Sequence, residues 1–245
     1  MTQSLFVMGS HDGITWSQIP STYTTCGTVV RDPSIAYLPA AQKYWLVHTN
    51  STTTTFDLAS SWDGKAWTCI KQVSLAAVVS GTGAAVWAPE WVHDPDGSLW
   101  LDTNGTPHVL VAASVSGTSD TGFGIYEVHP TSADFTQWST PVLLTGSGFP
   151  TNLIDPYAVV GGEKFYLFYK NENSRYIELA VSGQLTTGYA ITESGDWAGW
   201  GTPLEGPSVI MVAPNIWRIY LDAQGNGIYH SESTAGLAGP WSAKS

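Results

Sequence analysis

The sequence predicts an all-β fold, a five-bladed β-propeller whose fifth blade is closed by N-terminal strands and lacks a full set of inner ones. Three observations carry that expectation. The 245 residues include 12 Trp, 11 Tyr, 25 Gly and 14 Pro, and only 12% of them are charged; such a mixture suits many short strands joined by tight turns. No segment stands out with a helical period of apolar residues. Tryptophans recur at the ends of strand-turn-strand units, at Trp16, Trp67, Trp138, Trp200 and Trp241. Their settings include Asp12-Gly13-Ile14-Thr15-Trp16, Asp63-Gly64-Lys65-Ala66-Trp67 and Asp134-Phe135-Thr136-Gln137-Trp138. Irregular periods of this kind in β-rich sequence fit propeller blades better than a solenoid.

Taken in order, Leu5–Ser10 and Trp16–Gln18 supply the outer strands of the fifth blade, closing the ring and removing an exposed sheet edge. The first blade reads Ser34–Leu38 innermost, then Tyr44–Thr49, Phe56–Ser61 and Trp67–Ile70. The second reads Glu90–His93, His108–Ala113, Gly124–Val128 and Trp138–Leu143. The third reads Tyr157–Val160, Phe165–Lys170, Ile177–Val181 and an outer strand near Trp200. The fourth reads Ser208–Val212, Trp217–Asp222, Gly227–Glu232 and Trp241–Ala243. Val73–Val79 is the most helix-like stretch, but it is short and polar-flanked and reads as strand or loop. Nothing marks a linker, so residues 1–245 form one domain and the protein is expected to be a monomer.

Charge narrows the partners. A formal net charge of −11 with nine Lys plus Arg excludes nucleic acid and anionic membrane, which need clustered cations. A neutral ligand such as an oligo- or polysaccharide is compatible. No apolar run approaches membrane-spanning length. Cys26 and Cys69 give one possible disulfide and no metal-site spacing. Few Lys and many Thr, Ser and Asn point to a secreted or extracytoplasmic protein, whose leader would lie outside this chain.

Three acidic motifs precede predicted innermost strands: Arg31-Asp32-Pro33-Ser34, Ile154-Asp155-Pro156-Tyr157 and Leu204-Glu205-Gly206-Pro207. In a propeller such strands converge on the axis, so Asp32, Asp155 and Glu205 are placed at equivalent repeat positions facing one funnel. The prolines hold the preceding residue away from helical backbone and help to fix the carboxylate direction. Cleavage of a glycosidic bond needs one protonated acid and one ionised base, and a third carboxylate can set the acid's pKa. Trp87-Ala88-Pro89-Glu90-Trp91 fills the corresponding place in the second blade. There Glu90 joins the acidic centre, while Trp87 and Trp91 offer apolar faces for sugar stacking. Lys170 ends the second strand of the third blade and faces the funnel; His48 ends the analogous strand of the first.

These motifs, with Phe168-Tyr169-Lys170, Glu205-Gly206-Pro207-Ser208 and the ending Tyr229-His230-Ser231-Glu232-Ser233, resemble glycoside hydrolase family 43 from about Leu5 to Trp241. That family comprises five-bladed propeller enzymes, including arabinofuranosidases, xylosidases and galactofuranosidases. The resemblance implies Asp32 as general base, Asp155 as pKa modulator and Glu205 as general acid, its pKa raised by an ionised Asp155. It also implies that no cofactor is required, with a structural calcium on the axis to which His230 contributes. Ser208 stands where many members have His, and Glu90 where many have Asp, differences that bear on substrate contacts more than on the three acids. The expected activity is inverting exo-cleavage of α-L-arabinofuranosides or related furanosides and xylosides. A retaining fructosidase-like enzyme and a non-catalytic carbohydrate-binding propeller are the alternatives.

Overall fold

One turn recurs and sets the strand pairs. In Ser61-Trp62-Asp63-Gly64, the Asp63 carboxylate accepts from the N–H groups of Lys65 (2.8 Å) and Ala66 (2.9 Å) and from the Ser61 hydroxyl (3.0 Å). Asp12 takes the same bonds from Ile14, Thr15 and Ser10, and Asp134 from Thr136 and Ser132. The bonds favour the ionised acid. They hold Asp63 at about 2, with the Ala66 N–H foremost, and Asp134 also at about 2, with the Ser132 hydroxyl foremost. Four residues after Asp63 and Asp134 the tryptophan folds back. Trp67 and Trp138 donate Nε1–H to the carbonyls of Gly64 and Phe135.

The computed structural model describes residues 5–24, 26–27, 29–50, 52–79, 83–114 and 122–245. The first elements, β1 (Val7–Gly9) and β2 (Ser17–Ile19), form a two-stranded hairpin. A five-stranded sheet follows. Here β3 (Thr22–Thr24) lies parallel outside β7 (Ala66–Ser74), and β6 (Thr55–Ser61), β5 (Lys43–Thr49) and β4 (Arg31–Leu38) run inward antiparallel. The second blade runs from innermost β8 (Ala85–Trp91) through β9 (Val109–Ser114) and β10 (Phe123–Val128) to the short β11 (Val142–Leu143). In the third, β12 (Gly146–Ser147) lies outside β16 (Tyr189–Glu193), β15 (Tyr176–Ser182), β14 (Lys164–Asn171) and innermost β13 (Leu153–Gly161). The fourth comprises β17 (Glu205–Ala213), β18 (Ile216–Asp222) and β19 (Ile228–Ser233). Outside β19, the chain end pairs without forming a regular strand, through reciprocal backbone bonds of His230 and Ser245.

Blades pack face to face. Ala36, Trp45, Val47 and Phe56 of the first interlock with Val86, Trp91, Val109 and Val111 of the second. Leu110 and Ile125 meet Ala158, Leu167 and Tyr169 of the third. Tyr157, Val159 and Phe168 meet Val209, Ile219 and Trp241 around the fourth. The period-2 alternation of each strand thus fills both faces of the middle blades.

Four blades form, and the fifth is reduced to a hairpin, in keeping with the missing inner strands of the expectation. Among the described residues, only the β1–β2 hairpin stands between the fourth and first blades. Its Ser10-x-Asp12-Gly13 turn matches the one joining β6 to β7, so β1 and β2 correspond to the third and fourth strands of a sheet without inner strands here. The hairpin bridges its neighbours. Leu5 packs on Leu46, Ala59 and Trp67, while Arg218 Nη1 and the Tyr220 hydroxyl donate to the carbonyls of Asp12 (2.8 Å) and Gly13 (2.7 Å). Trp16 meets Tyr220 edge-on and stays half-exposed, whereas Trp67, Trp200 and Trp241 are buried. Other departures are local. The outer strand of the third blade is Tyr189–Glu193 rather than near Trp200, and Trp138 makes only a bridge to Pro130.

Every innermost strand carries the same bulge. Register breaks between Arg31 and Ser34, Trp87 and Glu90, Ile154 and Tyr157, and Glu205 and Ser208. At each break a residue before proline has positive φ: Asp32 (48°), Ala88 (46°), Asp155 (51°) and Gly206 (58°). The following proline disfavours right-handed helical backbone, and the bulge takes the left-handed region instead. Three non-glycine residues in that region store strain at one end of the ring. Ala88 alone gives no polar side chain in return. Ala88→Gly is therefore expected to raise stability by about 1 kcal/mol, as measured by urea unfolding.

Candidate active site

The bulges aim backbone N–H groups at the acids. Gly206 N–H donates to Asp155 Oδ2 at 3.0 Å. Ala88 N–H donates to Thr49 Oγ1 (2.7 Å), whose hydroxyl donates to Asp32 Oδ2 (2.7 Å). In both cases the bulge residue of one blade secures the aspartate of the blade before it. Asp32, Ala88, Asp155 and Gly206 are thus the equivalent positions. Glu205 stands one residue earlier, in register with Arg31, Trp87 and Ile154, which corrects the expected equivalence of the three acids.

That offset brings Glu205 to different partners. Its Oε2 accepts from Lys170 Nζ at 2.8 Å and from Gln224 Nε2 at 2.9 Å. Lys170, almost wholly buried, also pairs with Glu172 at 2.8 Å. Burial opposes ionisation of Glu205, but Lys170 and Gln224, with the Arg31 charge, outweigh it and hold the carboxyl below its ordinary range. Asp155 goes the other way. Desolvation first, then the charge of Asp32, pushes it up to about 7; Glu205 adds to the rise, while the Gly206 N–H and Lys170 oppose it. In the free protein the proton of the cluster therefore sits on Asp155, not on Glu205 as the sequence suggested.

The three acids open into one cavity of about 1370 Å³. It extends from the funnel into the space beside the hairpin, where Phe6, Met8 and Trp16 form part of the wall. Trp87 lines it, tilted against Phe123 with centroids 4.6 Å apart, as do Lys170, Glu90 and Ser208. Glu90 lies deeper and accepts from the Ser34 hydroxyl and His93 Nε2 (3.0 Å).

Three expected ligand contacts fall elsewhere. Trp91 is fully buried between Phe135 and Trp138, because the bulge after Trp87 shifts the alternation and turns it into the inter-blade core. His48 is buried too. Thr49, not His48, opposes Arg31, so His48 points to the other face, where Nε2 meets the Tyr23 hydroxyl at 2.5 Å. His230 lies on β19, outermost of the three strands of the fourth blade, and meets Ser245. A histidine that does line the cavity is His93, stacked on Tyr157 and bound to Glu90. Calcium takes six to eight oxygens, waters among them, and at this point Glu90 and Ser34 set protein oxygens beside His93.

Arg31, Thr49, His93, Glu172 and Gln224 escaped the sequence reading. Thr49 and His93 had a signal, since each lies within a few residues of a motif already in view. Gln224 reaches the site from a turn after β18 and had none.

Residues 5–245 match the family model described as a probable glycosyl hydrolase domain, related to glycoside hydrolase family 43. The chain belongs to this family. No match to a curated protein was found for this glycosyl hydrolase domain. Among solved structures it resembles the GH43 BlXynB protein from Bacillus licheniformis, with 19% identity, 87% of this chain covered and TM-score 0.63. It also resembles an α-L-arabinofuranosidase from Lactobacillus brevis, with 16% identity, 88% covered and TM-score 0.60. An endo-1,4-β-xylanase from Bacteroides thetaiotaomicron gives 14% identity, 98% covered and TM-score 0.68. At these identities the likeness is one of fold. The chain spans 41% of the length of BlXynB, 72% of the arabinofuranosidase and 84% of the xylanase.

Proposed function

We propose that this glycosyl hydrolase domain hydrolyses O-glycosidic bonds with inversion, using Asp32 as general base and Glu205 as general acid. The observation that carries the reading is the opening of Asp32, Asp155 and Glu205 into one cavity, where burial and the Asp32 charge push Asp155 up to about 7. A cluster that keeps one exchangeable proton beside two further carboxylates supplies both an acid and a base near neutrality. Asp32, positioned by Thr49, activates water on one face of the sugar; Glu205 protonates the leaving oxygen on the other. Glu205 must take up its proton against the pull of the Lys170 charge, and Asp155, which contributes to the same electrostatic cluster, supplies it.

A second assignment of the acid has a specific observation behind it. The Lys170 pair favours ionised Glu205, so Asp155 itself is the competing donor.

The substrate we propose is the terminal residue of an α-L-arabinofuranoside or a related furanoside or xyloside in a polysaccharide. The tilted Trp87–Phe123 pair supports a stacked sugar ring, and the acidic wall suits a neutral one. The arabinofuranosidase among the structural neighbours fits this class. The Cys26–Cys69 disulfide, with its Cα atoms 5.2 Å apart, supports an oxidising, extracytoplasmic setting. A panel of aryl furanosides and pyranosides tests the reading. Hydrolysis of at least one, lost in Asp32→Asn, is the expected result. Persistent sugar binding without hydrolysis of any member would leave the carbohydrate-binding alternative.

A further inference from the structure

A second cluster of chemistry-bearing side chains lies away from the acids. Strands β9 and β10 pair with Val109 opposite Val128. Extending that register by one residue sets His108 opposite His129. Glu127, two residues before His129, shares their face of the sheet. The three ligand atoms all lie within 4.8 Å of one another. His108 Nδ1 is 2.7 Å and His129 Nδ1 2.8 Å from the same oxygen, Glu127 Oε1. The opposite end of β10 begins at Phe123, which meets Trp87 in the cavity. At strand rise the cluster is therefore roughly 20 Å from Phe123 at the cavity wall.

We propose that His108, Glu127 and His129 form a binding site for a divalent transition-metal ion, with Zn²⁺ the best match. Two imidazole nitrogens and one carboxylate oxygen are a familiar three-ligand zinc set, and softer or purely oxygen-seeking ions suit it less. Placing an ion at zinc distances separates the ligand atoms to about 3.3 Å, so each hydrogen-bonded pair opens by roughly 0.5 Å. The surroundings fit as well. His108 Nε2 is buried without a hydrogen-bond partner, and Asp102 Oδ2 stands 3.6 Å beyond it. A carboxylate behind the non-ligating nitrogen is the usual outer support of a zinc-bound histidine. Two N–H groups, of Asn104 and Thr106, hold the other Asp102 oxygen and fix the carboxylate in place. His129 is only partly buried and borders a cleft of about 310 Å³, which leaves an entry path and an open fourth position for water.

The role is a brace, not catalysis. Trp100 packs on His108 and edge-on against Phe165 of the third blade, so a metal here ties β9 to β10 where the second and third blades meet.

The test uses chelator-treated whole protein, titrated with Zn²⁺ alone against a chromophoric zinc indicator, with melting followed in parallel. One equivalent is expected to bind and to raise Tm. His129→Ala, at the most exposed ligand, and Glu127→Gln should each abolish stoichiometric binding and the Tm rise, with far-UV circular dichroism unchanged. Asp102→Asn should weaken binding roughly 10-fold, as loss of outer support does. Hydrolysis of aryl glycosides should be unaltered in His129→Ala. Failure of the parent to bind, or binding undiminished in both ligand variants, overturns the proposal.

Discussion

Glu205→Gln is expected to lose activity according to the leaving group. For a sugar or alkyl leaving group, which departs only when protonated, kcat should fall by about 10³-fold. For a dinitrophenyl leaving group, which needs no proton, the loss should shrink to less than about 10-fold. Asp32→Asn should behave differently. Water activation is needed whatever departs, so the fall should be about 10³-fold for both substrates. Initial rates on the two substrate types separate the acid from the base. If Asp155→Asn, and not Glu205→Gln, gives the leaving-group pattern, the donor is Asp155 and the Lys170–Glu205 pair persists through the reaction.

Asp155→Asn should also change stability in a pH-dependent way. In the folded chain Asp155 keeps its proton up to about 7, against an ordinary value of 3.8. Between those values the native state binds a proton that the unfolded chain has released, so stability falls as pH rises through the window. Above about pH 7 the folded protein carries the full cost of the buried charge, on the order of 4 kcal/mol. Asparagine keeps an acceptor for the Gly206 N–H, tolerates positive φ and carries no charge. The variant should therefore melt roughly 5–15 °C higher than the parent at pH 8 and at nearly the same temperature at pH 4. A difference independent of pH would mean that Asp155 is already ionised throughout.

Much of the architecture was legible because turn chemistry and alternation are local. The Asp-x-x-x-Trp units marked where strands pair, and runs such as Tyr44–Thr49 and Trp217–Asp222 fell within a residue of the observed strands. The incomplete fifth blade was legible as well, because the hairpin has the turn of a full blade while no inner-strand motif accompanies it.

The site was legible only in part. Asp32 and Asp155 were readable from Asp-Pro, whose proline imposes the bulge. His48 and Trp91 failed because one residue of register, set by that bulge, decides which face a side chain takes. The protonation order was hidden for a further reason. It depends on Lys170, from β14 of the third blade, reaching Glu205 in the fourth, a meeting that only the folded ring creates.

The central claim is that Asp32 activates water on the face opposite Glu205. ¹H NMR of the first-formed sugar, recorded on the best aryl glycoside before mutarotation, tests it most directly. The account predicts a product with inverted anomeric configuration. A first-formed product with retained configuration would contradict it and make Asp32 a nucleophile.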